Sequence, residues 1–190
     1  AFGEFNESIA IELPAFRGLE PKLSLSYNSG QGLMAGGLNA GWLGIGWSLS
    51  GLPDILRTAP VNGAARFDNT DVYQLAGMDL IPCTPEMVSA SCSSGGTHTT
   101  NIEQYQKITR ASTTWGVWNK NGTRLIFRPL TTWGGTVGPD ESFPTLIGAS
   151  YRWLLAEIRD YRNNIVTFSY SCGTYPVCYP STISYNGTEV

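Results

Sequence analysis

Charge is scarce in this sequence: Asp, Glu, Lys and Arg together make up 14% of its 190 residues, well under the quarter usual for a soluble domain. Twelve basic and fifteen acidic side chains leave a formal net charge of -3. No run of Lys or Arg is present, which argues against nucleic acid as a partner, because phosphate binding needs clustered cations. Histidine is almost missing. The one at position 98 lies in a Ser/Thr-rich stretch, where a solvated residue is expected, so a nucleophile would have no base to activate it. No run approaches 18 apolar residues, and no membrane-spanning helix is expected. The sequence also lacks G-x-x-x-x-G-K-[ST], the phosphate-cradling loop. Gly44-Ile45-Gly46 opens like a dinucleotide fingerprint, but Leu49 stands where the third glycine belongs and no βαβ unit surrounds it. The N-terminus shows no basic segment followed by an apolar one, so a removed leader or a piece of a longer chain is expected.

Glycine is abundant, with 22 residues, and 42% of the chain is hydrophobic and 12% aromatic. A chain of this length can bury a sizeable core. Low charge with much Gly, Ser, Thr and Asn suits an extracellular β protein. No segment keeps a 3.6-residue period, whereas alternation at period two recurs, with turn residues between. The fold class expected is all-β: antiparallel strands and hairpins forming a sandwich or packed sheets, with long Gly/Ser-rich loops.

Residues 19–57 organise the chain. Leu23, Leu25 and Tyr27 alternate with Ser24, Ser26 and Asn28, and Trp47 and Leu49 with Ser48 and Ser50, so two strands each carry one apolar face. Between them eight glycines fall in residues 30–51, a density that permits positive φ and close packing against indole rings. Tyr27, Trp42, Gly44, Gly46, Trp47 and Gly51 are the structural residues expected here. Trp118 and Trp153 are also expected in the core, while Trp115 and Trp133, beside glycine-rich turns, are the candidates for exposure and for ligand stacking.

Hairpin turns are expected near Ala76-Gly77-Met78, at Asn163-Asn164 and at Asn121-Gly122, the last as a type I′ turn with φ > 0 at both central residues. Residues 82–100 read as a surface insertion. The four cysteines fall as two near pairs, Cys83 with Cys92 and Cys172 with Cys178. Local disulfides are the expected outcome in an oxidising compartment, and a four-cysteine zinc site would want closer spacing. Asp68-Asn69-Thr70-Asp71 could offer oxygen ligands to calcium or form an Asx-turn, and the turn is expected. Asp140-Glu141 as a hydrolytic pair is disfavoured, since neighbours on a strand face opposite ways. No catalytic set, cofactor or metal site is expected.

Several stretches together resemble one family. Gly18-Leu19-Glu20-Pro21-Lys22-Leu23-Ser24-Leu25-Ser26-Tyr27-Asn28, Leu43-Gly44-Ile45-Gly46-Trp47-Ser48-Leu49-Ser50-Gly51-Leu52, Asp71-Val72-Tyr73-Gln74-Leu75-Ala76-Gly77 and Trp153-Leu154-Leu155-Ala156-Glu157-Ile158-Arg159-Asp160 are similar to the N-terminal domain of SpvB-type virulence proteins. The same domain begins the B components of Tc insecticidal toxin complexes and many proteins with RHS repeats. The likeness covers most of the chain. It implies a single non-enzymatic β domain over 1–190, belonging to a longer secreted protein and helping to build a shell around a toxic cargo. The implied partners are other domains of that chain and a C-type component or cargo. The catalytic domain of SpvB-type proteins is a separate C-terminal ADP-ribosyltransferase whose Glu-x-Glu pair is missing here. A secreted module binding a cell-surface glycan is the alternative.

Overall fold

A computed structural model describes residues 3–30, 43, 46–135, 150–173, 178–185 and 188–189. Two compact units divide the chain, residues 1–52 and residues 53–190.

In the first unit, β1 (Asn6–Ile11), β2 (Leu23–Asn28) and β3 (Trp47–Ser50) form an antiparallel sheet in that order. Register places Ser8, Ser26 and Ser48 side by side, and likewise Glu7, Tyr27 and Trp47. The period of two therefore sorts one face into hydroxyls and the other into large side chains. Phe16, Leu19 and Leu23 are buried, whereas Phe5 and Ile9 are exposed.

The second unit is built on a sheet that closes on itself. Strands β4 (Asp54–Thr58), β5 (Val72–Leu75), β6 (Met78–Pro82), β7 (His98–Thr100), β8 (Lys107–Ala111), β9 (Thr114–Trp118), β10 (Arg124–Pro129) and β11 (Arg152–Arg159) pair in sequence order, and β11 returns to β4. Every pairing is antiparallel, and closure removes the unpaired edges an open sheet would expose. The packed all-β architecture expected from sequence takes the form of this ring. One edge of β11 pairs with β10 along its length. The other edge is shared: residues 152–154 pair with β4 and residues 157–159 with β12 (Ile165–Cys172). From there the sheet continues outward through β13 (Cys178–Tyr185) and β14 (Thr188–Glu189). Inside the ring lie Ile55, Leu75, Leu80, Ile108, Trp115, Val117, Phe127, Trp153 and Leu155, all nearly inaccessible to solvent.

The turns follow local chemistry. At 76–77 both residues take positive φ, +48° at Ala76 and +81° at Gly77. At Asn121-Gly122 the type I′ expectation is corrected, because only Gly122 is left-handed. The loop is longer: Asn119 N donates to Thr123 O at 2.8 Å, and Asn121 Oδ1 accepts from Thr123 N at 3.0 Å. The side chain of Asn121 thus helps close the turn while its own backbone avoids positive φ, which falls to Gly122. The same design recurs at 160–164, where Asp160 N donates to Asn164 O and Asn163 takes φ +63° in place of glycine.

Candidate functional site

The named residues of the first unit gather around β2 and β3. Tyr27 and Trp47 sit opposite each other with ring centroids 5.2 Å apart, and Phe5 lies 6.1 Å from Tyr27. Both Tyr27 and Trp47 are half-buried. Gly46 has φ +78°, and a Cβ there would lie 2.8 Å from Tyr27 Cε2 and 2.9 Å from Asn28 O. Gly51 has φ +97°, and its Cβ would collide with Lys22 O. Trp42 and Gly44 lie outside the described residues, as do Asp140 and Glu141. Before β2, Glu20 Oε2 accepts from Phe16 N at 2.6 Å and Gly18 N at 3.1 Å. These bonds, the one from Phe16 foremost, hold its carboxyl below the usual range. The Gly-Leu-Glu-Pro run is therefore a carboxylate-capped turn. On the hydroxyl face a groove of about 420 Å³ is lined by Asn6, Glu7, Ser8, Ser26, Tyr27, Asn28 and Ser48. It carries hydrogen-bonding groups but no base or nucleophile pair.

Within the closed sheet, one end of the interior is an aromatic layer threaded by arginines. Tyr73 lies 5.1 Å from Trp115 and 5.7 Å from Trp153, and His98 lies 4.7 Å from Trp115. The Arg110 guanidinium sits 4.6 Å from the Tyr73 ring centroid, and its Nη1 donates to Tyr73 Oη at 2.7 Å. Two expectations are corrected here. His98 is not solvated but buried on β7, and Trp115 is not exposed but fully enclosed. Burial, aided by nearby Arg110, pushes the His98 imidazole down to about 4, so it is neutral at physiological pH. His98 Nδ1 contacts Thr97 Oγ1 at 3.0 Å, and the imidazole packs against the Tyr73 and Trp115 rings.

Trp118 is corrected in the opposite sense. Trp115 and Trp118 are three apart on β9, so alternation must send them to opposite faces. Trp115 takes the interior, and the Trp118 indole lies outside over Gly116, where a Cβ would come within 2.7 Å of Cη2. Trp133, on the 3-10 turn Leu130–Trp133, meets Tyr170 edge-on at 4.8 Å. Tyr170 Oη donates to Leu155 O at 2.9 Å, and burial raises its phenol above the usual value.

Both cysteine pairs are disulfides, Cys83–Cys92 and Cys172–Cys178. The first ties the start of the 82–100 segment to a helical turn, Ala90–Ser93, whose buried Ser91 Oγ donates to His98 O at 2.5 Å and accepts from Ile108 N at 2.8 Å. The carboxylates at 68–71 are occupied by protein donors. Asp68 Oδ1 accepts from Thr70 N and Oγ1, and Asp71 accepts from Arg66 N, Phe67 N and Arg57 Nε. Among the described residues no three His, Cys, Asp or Glu side chains gather as a metal-ligand set. No described helix is long and apolar enough to cross a membrane.

These features define a class: a closed antiparallel sheet with an aromatic interior, preceded by a small three-stranded sheet. The family described as Salmonella virulence plasmid 65kDa B protein, SpvB, matches residues 1–175, and the chain belongs to it. No curated protein sequence matches. Among solved structures, the Photorhabdus luminescens Tc holotoxin pore is similar at 17% identity and TM-score 0.62, over 96% of this chain and 10% of that one. A TcdB2-TccC3 crystal structure gives 18% identity and TM-score 0.62, over 98% and 10%. The N-terminal domain of effector protein SpvB from Salmonella typhimurium strain LT2 gives 19% identity and TM-score 0.58, over 96% and 65%. The chain thus spans about a tenth of the Tc chains and 65% of the SpvB domain. The shared property is the fold.

Proposed function

We propose that this chain is a non-enzymatic structural module of a longer secreted toxin-complex or RHS-type protein, contributing to a shell or scaffold that encloses and delivers a toxic cargo. The observation that carries this reading is the family match over residues 1–175, together with a fold shared along nearly the whole chain with Tc and SpvB proteins. Two disulfides suit an oxidising, extracellular setting. The closed ring suits a wall: its polar backbone is internally paired and its core is filled by side chains. Other domains of the same longer chain and a C-type component or cargo are the partners in this reading. Glycan stacking loses its first candidate, since Trp115 is enclosed.

The test is deletion of residues 1–190 from the longer protein, followed by limited proteolysis of the assembled complex. The expected result is a cargo domain that becomes protease-sensitive and is no longer delivered. Unchanged protection and delivery would overturn the reading.

A further inference from the structure

A cationic row crosses the outer face of the closed sheet. Register sets Lys107 on β8 opposite Trp118 on β9, Trp118 opposite Arg124 on β10, and Arg124 opposite Arg159 on β11. With strands about 4.8 Å apart, the four side chains span roughly 14 Å. Lys107 Nζ lies 5.9 Å and Arg124 Cζ 4.5 Å from the Trp118 ring centroid. All four are half-buried, so each still reaches solvent. The carboxylate paired with the row is Glu157, which accepts from Arg159 Nε at 2.8 Å.

Three properties of this row are not explained by the fold. Arg124 and Arg159 are like charges directly opposite each other, an arrangement that costs stability in a sheet. Arg124 Nε is buried and has no hydrogen-bond partner, a costly state for a donor on a charged group. The row also gathers three of the chain's twelve basic residues, while the core is completed by the opposite face of the same strands.

We propose that the Lys107–Trp118–Arg124–Arg159 row is a docking surface for an extended acidic segment of a polypeptide. Such a segment presents same-side carboxylates about 6.8 Å apart, a spacing that lets successive Asp or Glu side chains reach Lys107 and the Arg124/Arg159 pair. A carboxylate between the two arginines relieves their repulsion, and guanidinium forks favour carboxylate through paired N–H donors. The Trp118 indole, stacked with the Arg124 guanidinium, holds that cation at the centre of the row. A phosphate backbone fits less well, because the row holds three cations where phosphate binding calls for a larger cluster. This inference does not depend on the shell reading; it rests on register and charge alone.

The test is fluorescence anisotropy of a labelled alternating Glu-Ser peptide titrated with the 190-residue chain at low salt. A Gln-Ser peptide and oligothymidylate serve as competing probes. Saturable binding of the acidic peptide is expected, weakened about tenfold by Arg124→Gln, weakened less by Lys107→Gln, and unaffected by Arg128→Gln, an exposed arginine off the row. In the unsubstituted protein the peptide should shift the Trp118 indole N–H resonance, a readout independent of how the variants fold. The proposal is overturned by any of four results: no binding, equal binding of the Gln-Ser peptide, tighter binding of oligothymidylate, or indifference of the Trp118 resonance and of the affinity to the row.

Discussion

Arg57 Nε meets Asp71 Oδ2 at 2.7 Å, with the Asp71 side chain fully enclosed and Arg57 only 11% exposed. The same carboxylate accepts from Arg66 N and Phe67 N, while Arg57 Nη2 donates to Asp68 O. One ion pair therefore anchors the connection from β4 to β5 from both sides. Removing one partner of a buried pair leaves the other uncompensated.

Asp71→Asn should accordingly destabilise the protein by about 3 kcal/mol, read as a lower urea midpoint. Burial opposes ionisation of Asp71, yet the bonds from Arg66 N, Arg57 and Phe67 N outweigh it and hold the carboxyl below its ordinary value. Its contribution is therefore present above the unfolded pKa, roughly 3.9, and lost as pH falls through the lower folded value. The variant's acid limb should be shallower than that of the unsubstituted protein. Identical limbs would show that the pair does not form.

His98 predicts a separate acid window. Its imidazole is held at about 4, whereas an unfolded histidine titrates near roughly 6.5. Below that pH the unfolded chain takes up a proton that the folded chain refuses, so stability declines down to about 4 and then levels. His98→Phe keeps a ring against Trp115 and removes the titration. As pH falls through this window the melting temperature of the unsubstituted protein should drop relative to that of His98→Phe, and parallel curves would rule out a buried neutral histidine.

Loss of the Cys83–Cys92 bond alone should loosen the 82–100 segment selectively. The Cys83–Cys92 bond positions Ser91, whose hydroxyl joins His98 O to Ile108 N. Cys92→Ser and Ser91→Ala are each expected to cost about 2 kcal/mol, and both should raise amide exchange at Ile108 and Thr97 before the rest of the ring. Uniform exchange across β8 and β11 would contradict that local role.

Which elements were legible in the sequence depended on whether the signal was local. Alternation and turn chemistry located β9 and the hairpin turns near 77, 122 and 163, because those signals lie within a few residues. The two cysteine pairs were legible for the same reason. Facing was not. Trp115-Gly116-Val117-Trp118 contains two tryptophans of opposite parity, and only the partners Arg110 and Phe127 against Trp115, or Lys107 and Arg124 against Trp118, decide which enters the core. The missing basic run was a correct reading of the chain as a line, yet Lys107, Arg124 and Arg159 become neighbours across strands. Closure of the ring likewise depends on β11 meeting both β10 and β4, a pairing between segments almost 100 residues apart that no local pattern records.

Gly51 and Gly77 form a controlled pair for the last prediction. Both have positive φ, +97° and +81°, so an alanine at either position meets similar backbone strain, about 1–2 kcal/mol. They differ in surroundings. A Cβ at 77 would have no atom within 4 Å, whereas at 51 it would run into Lys22 O and approach Leu23 Cα at 3.2 Å. Lys22 leads into β2, which pairs with β3 immediately before Gly51, so the clash bears on both strands of the small sheet. Gly51→Ala should therefore lose the β2–β3 amide protection altogether, while Gly77→Ala lowers the melting temperature modestly and leaves β5 and β6 protected. If the two substitutions prove equally mild by hydrogen exchange, the glycine at 51 is answering only to its dihedral angle, and the close approach of the two backbones does not hold the sheet.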